Sequence, residues 1–240
     1  MKTNILKHLS HSASYAVLAS LMILSLVLSF FFIAEPAISY GQSDTATFTI
    51  KQTITDETSF LVPPTNVVAT GTINGVTGGT ATGTTVFAVI SNNAAGYRVD
   101  IQFEDTDLDR ISMRGDVSDG NEIHDYSGDV AGQPSYNFTA SSAAQLAYTV
   151  TSSTTNDTDN SFLTNGSNAC NTAPFNDGAG IRCWKAASTT APFTIVDRDT
   201  SAVTGATSTI KFIIHVPNGA TPVPQAETYT ATATLSLYIN

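Results

Sequence analysis

The chain has 240 residues, with twenty acidic side chains against ten Lys and Arg and a formal net charge of -10. Charged residues make up only 12% of it, about half of the roughly 25% usual in soluble proteins. Ser and Thr together supply about a quarter, so neutral hydroxyls and amides do most of the surface solvation. That balance argues against nucleic-acid binding, which needs clustered Lys and Arg to neutralise phosphate. It favours an exported, β-rich protein over a cytosolic helical one.

The first forty residues read as an export segment. Lys2 and Lys7 open it without any acid, and from Tyr15 to Ala34 the chain carries no charge. A helix of that length reaches about 30 Å, the thickness of a bilayer's hydrocarbon core. Small residues at Ala37, Ser39 and Gly41 offer a signal-peptidase site. The apolar run is longer than the usual signal core of about 7–15 residues. Two outcomes therefore stay open: a cleaved signal over 1–40, or a retained anchor over 15–34. In either case the basic flank stays inside and 41–240 is exported, reaching the membrane only through this helix if it is uncleaved.

Beyond residue 44 a period of two dominates, which indicates strands. ATFTIKQTI, from Ala46 to Ile54, reads as the first strand. Pro63-Pro64 then marks an edge or a crossover, and the Gly/Thr-rich stretch from Gly71 to Gly83 reads as turns between strands. In TTVFAVISN both faces are apolar, which suits a central strand. Asn92-Asn93-Ala94-Ala95-Gly96 fits a hairpin turn leading to a partner strand over 97–104. Further strands are expected at 146–150, 193–195, 210–216 and 229–239. No stretch after residue 44 has a helical period with caps. The fold class expected is therefore all-β: one antiparallel β-sandwich, immunoglobulin-like or pilin-like, over 41–240, preceded by the export helix. Two long insertions, acidic near 104–135 and polar near 151–185, decorate it.

The chain's two cysteines, Cys170 and Cys183, flank a polar loop. In an oxidising compartment they are expected to pair. Ten of the twenty acids lie between Asp100 and Asp129. Within that stretch Asp105, Asp107 and Asp109 alternate as calcium loops do, and Asp116 occupies the twelfth position. Arg110 stands where an EF-hand has Gly, so the candidate Ca²⁺ site is not an EF-hand; the alternative is a solvated acidic loop. Trp184 and Tyr126 are candidate binding aromatics that suit stacking on a glycan or a partner surface. Alternatively, Trp184 packs over the adjacent disulfide. His124 and His215 lack a placed nucleophile, and no enzymatic activity is expected.

Three stretches carry a family resemblance. Ala46–Ile54, the GTTVFAVISNNAAGYRVDI segment from Gly83 to Ile101, and the terminal Val216–Ile239 segment resemble secreted bacterial surface β-sandwiches of the WxL, spore-coat-U and pilin types. The sequence departs from the WxL pattern, because Trp184 is followed by Lys185-Ala186 and no Trp-x-Leu occurs. The resemblance implies a non-catalytic surface or coat role, with partners in the cell envelope or in further copies of the chain. A binding or adhesion module contacting glycans through the acidic and disulfide loops is the alternative.

Overall fold

The computed structural model describes residues 15–29, 47–104, 112–118, 120–129, 132–138, 141–164, 169–172 and 183–240. Contacts divide the chain into two units, Met1–Thr53 and Ile54–Asn240. In the first, residues 15–29 form one exposed helix. No helix among the described residues is long and apolar enough to cross a membrane. The remainder of the expected span, 30–34, lies outside them.

The second unit is built from strands β1 (Thr58–Val62), β2 (Ile73–Asn74), β3 (Gly78–Ser91), β4 (Tyr97–Phe103), β5 (Met113–Gly115), β6 (Glu122–Asp125), β7 (Ser135–Tyr136), β8 (Gln145–Ser152), β9 (Cys183–Ala186), β10 (Phe193–Arg198), β11 (Ala202–Val216), β12 (Tyr229–Thr230) and β13 (Ala233–Ile239). The larger sheet runs β1-β3-β11-β8-β6-β5-β12, with β2 on β3 and β9 joining β8 to β7. The smaller sheet is β10-β4-β13. All pairings are antiparallel except β6 with β8. The all-β class therefore stands, and the only helices among the described residues of this unit are two short 3-10 turns, Thr155–Asp157 and Asn160–Phe162.

The sheets share one core because alternate residues of their strands face each other. Tyr97, Val99, Ile101 and Phe103 of β4, Phe87 and Val89 of β3, and Leu146, Tyr148 and Val150 of β8 are all buried in it. Phe60 meets Phe87 edge to face, with ring centroids 6.1 Å apart. The centre of the larger sheet is the long β3–β11 ladder, in which Thr209 faces Val86 and His215 faces Thr80.

Four local expectations change. Residues 47–57 pair with no strand; the first strand is β1, which already occupies the β3 edge. The Gly-rich stretch is partly strand, since 78–83 is the first half of β3, pairing with Phe212–Val216. Part of the acidic insertion is also sheet, because β5 and β6 extend the larger sheet beyond β8. Finally, 92–96 is not a hairpin turn, because β3 and β4 lie in different sheets. The side chain of Asn93 accepts the Ala95 amide at 2.8 Å, and Gly96 turns the corner at φ 85 against the carbonyl of Arg198. A Cβ at that position would meet backbone, so the corner needs glycine.

The alternation yields a direct expectation. Phe87 is 1% exposed and its neighbour Val86 is 43% exposed. Phe87→Ala is expected to cost about 3–5 kcal/mol in urea unfolding. Val86→Ala is expected to cost well under half of that; equal losses would mean the strand register is wrong.

Candidate functional site

On one side of the sandwich no described strand closes the sheets. β1 ends the path of the larger sheet and β13 ends that of the smaller one, and the two strands run close together there without pairing. Phe60, Leu235 and Leu237 pack against the core yet are only partly buried, while Leu61, Val62, Tyr238 and Ile239 are exposed. The outer edge of β13 thus presents backbone donors and acceptors that no described strand satisfies, beside apolar side chains that no described strand covers. Such an edge is a template for another strand.

Residues 47–57, in contrast, form no strand and pair with no described strand. Phe48, Ile50 and Ile54 alternate along them with exposures of 83%, 81% and 82%. Burying three such side chains stabilises by about 1.5–3 kcal/mol each, and here that burial is unused. Only the end of the segment is held: Asn92 donates to the carbonyl of Thr55 and accepts the Glu57 amide at 2.7 Å.

The candidate calcium residues are not gathered into a site among the described residues. Asp105, Asp107 and Asp109 lie outside them. Asp116 accepts a hydrogen bond from the Thr230 hydroxyl at 2.8 Å, and no group of three or more metal-ligating side chains occurs among the described residues. The acid that organises this region is Glu227, which the sequence did not single out. Its carboxylate accepts the amides of Val117 at 2.7 Å and Ser118 at 3.3 Å, and the side-chain amide of Asn121. These donors, the Val117 amide foremost, hold its pKa below the ordinary 4.5.

Trp184 and Tyr126 do come together, but inside the protein. They are 3% and 2% exposed and pack with Ala147, Phe138 and Ile213 in a second apolar cluster. The Phe138 ring, 4.9 Å from Tyr126 and 6.2 Å from Trp184, also meets His215 edge to face. Tyr126 and Phe138 thus cover the outer face of β8, which explains why β8 is buried on both faces. Neither ring offers a face for stacking on a ligand.

Cys170 and Cys183 form a disulfide. The chain-entropy model assigns such a closure roughly 3 kcal/mol. Trp184 does not pack over this bridge, because successive strand residues point to opposite faces: Cys183 faces the main core and Trp184 the second cluster.

By the same alternation Lys185 faces the side of Cys183. It is 4% exposed, and its Nζ lies 2.8 Å from Oδ2 of Asp129 and 5.0 Å from the centre of the Phe193 ring. Asp125 lies in the field of both charges, and burial pushes its carboxyl up to about 6. The Tyr148 phenol, paired across from Lys185, is pushed up by burial and then by Asp129. The sequence did not single out Lys185; the signal that could have found it was its two-residue spacing from Cys183 on the same strand face.

No family model matches the chain, and no curated protein sequence matches it. Among solved structures, one chain from "Chaperone-tip adhesin complex is vital for synergistic activation of CFA/I fimbriae biogenesis" superposes with a TM-score of 0.41 and 10% identity. The superposition covers 76% of this chain and 41% of that one. A likeness of that size carries no function across.

Glu227 gives a pH expectation. A carboxylate whose folded pKa is lowered contributes stability above its unfolded value, and that contribution is lost as pH falls through the folded value. Glu227→Gln is therefore expected to lower the urea midpoint at pH 7. The gap to the wild type should close as pH falls below 4.5. A gap unchanged in acid would show that the carboxylate charge is not what holds Val117, Ser118 and Asn121 in place.

Proposed function

We propose that the chain is a non-enzymatic, exported subunit that assembles with copies of itself at the cell surface. Residues 47–55 of one copy would add as a strand along the outer edge of β13 in the next, an edge that no described strand pairs. The observation that carries this reading is the pairing of two unmet needs. Among the described residues, a strand-patterned segment pairs with no sheet, and a sheet edge flanked by partly open apolar residues pairs with no strand. Strand addition answers both, with ladder hydrogen bonds giving affinity and alternate side chains giving register. A subunit that both offers and accepts a strand makes a head-to-tail contact, and such contacts propagate into open filaments unless the rotation closes a ring.

Export rests on the basic start and the uncharged run from Tyr15 to Ala34, together with the disulfide, which belongs to an oxidising compartment. The absence of a catalytic role is read from the sequence, in which neither His124 nor His215 has a nucleophile placed beside it.

Light scattering on residues 41–240 tests the reading. Wild-type protein is expected to form species heavier than a monomer. The double variant Phe48→Asp/Ile50→Asp is expected to run as a folded monomer, its unfolding free energy within about 0.5 kcal/mol of the wild-type domain because both side chains are exposed. Assemblies that persist in the variant, or a wild type that stays monomeric at high concentration, would overturn strand donation.

A further inference from the structure

We propose that Asn92 decides which β13 the strand-patterned segment meets. Its side-chain amide holds Thr55–Glu57 in line with β1, and this directs residues 47–54 to a second copy instead of to the edge of their own chain. The inference rests on the strand donation proposed above and names the residue that gives it direction.

The bonds are those of a ladder continued by a side chain. Thr58 pairs with Ser91 where β1 begins and β3 ends, so Glu57 stands opposite Asn92. The Asn92 backbone amide donates to the Glu57 carbonyl at 3.1 Å. In a regular antiparallel pair the Asn92 carbonyl would accept the Glu57 amide in return, but the main chain turns away there towards β4 in the other sheet. Oδ1 of Asn92 takes its place, accepting the Glu57 amide at 2.7 Å. Nδ2 then donates to the Thr55 carbonyl at 3.1 Å. A side-chain amide carries both a donor and an acceptor, as a peptide group does, so Asn92 stands in for the peptide unit that β3 no longer supplies.

Direction matters because β13 of the same chain is the nearest competitor. Ile239 pairs with Tyr97 at the start of β4, so β13 finishes at the end of the sandwich where β1 begins. A segment that reversed just before β1 would run back along that edge and fill it in cis. An edge on the same chain presents an effective concentration of about millimolar, which would outcompete a second copy. Reversal needs residues that tolerate turn geometry. Between Phe48 and Thr58 the only Gly, Pro, Asn, Asp or Ser is Asp56, and it lies between the two residues that Asn92 holds. The clasp therefore keeps the chain straight at its one turn-forming residue.

The test compares wild type with Asn92→Ala on residues 41–240, which contain the whole of the compact second unit. It uses light scattering and the rate of trypsin cleavage after Lys51. Asn92 is exposed, so the variant is expected to keep the wild-type near-ultraviolet circular dichroism. It is expected to need about tenfold more protein to assemble, the effect of two lost side-chain hydrogen bonds. Its monomer is expected to be cut after Lys51 about tenfold more slowly than wild type diluted to monomer, because the segment is then paired in cis. Mere loosening would speed that cut. Adding Phe48→Asp and Ile50→Asp to Asn92→Ala is expected to restore rapid cutting. Should Asn92→Ala fail to fold, Asn92→Asp keeps the acceptor for Glu57 and loses the donor to Thr55, and is expected to shift both readouts the same way by less. Assembly of the variant at the wild-type concentration, or a variant monomer cut as fast as diluted wild type, would overturn the proposal and leave strand donation standing. A wild type that never assembles would overturn both.

Discussion

The long antiparallel ladder between β3 and β11 is the constraint on which the rest of the molecule depends. It runs from the pairing of Val216 with Gly79 to that of Ala202 with Ser91, and both strands are paired on their other edges as well, to β1 and β8. Because side chains alternate along it, the ladder fixes which residues face the second sheet. Phe87, Val89 and Ile210 point into the core, while Ile213 lines the opposite face with Trp184 and Phe138. A slip of one residue would exchange the two sets, opening the core and destroying the outer cluster together.

From that frame follow both an open side and a closed side. Beyond β8 the larger sheet is shielded by Tyr126, Phe138 and β9, so polar groups there are forced into contact with one another. The buried Lys185–Asp129 pair is a consequence of this shielding. On the other side, β1 and β13 end their sheets and nothing described covers them.

Much of the architecture was legible in the sequence because period-two alternation reports a strand wherever one face is buried. The strands over 97–103, 146–150 and 210–216 were readable for that reason. What alternation does not report is the partner. Asn92–Gly96 has the composition of a hairpin turn, yet its backbone passes between sheets, because Gly96 fits against Arg198 in a way no local rule encodes. Residues 47–54 carry the same alternation as a paired strand yet pair with no described strand, since periodicity describes what a segment can bury and not whether anything is there to bury it. The candidate site was less legible. Trp184 and Tyr126 look like binding aromatics by residue type, but β9 turns Trp184 away from the disulfide and the chain folds Tyr126 beneath Phe138. Lys185 was hidden by its own charge, because ammonium groups are almost never buried without a partner and the partner lies 56 residues away.

The most direct test of strand donation is hydrogen–deuterium exchange of the backbone amides of residues 47–55, measured in assembled protein and in the same protein after dissociation. Strand donation predicts alternate-amide protection across this segment in the assembly, accompanied by protection of the outer edge of β13, with both lost on dissociation. Exchange in the assembly as fast as in the dissociated protein would show that the copies associate by another surface.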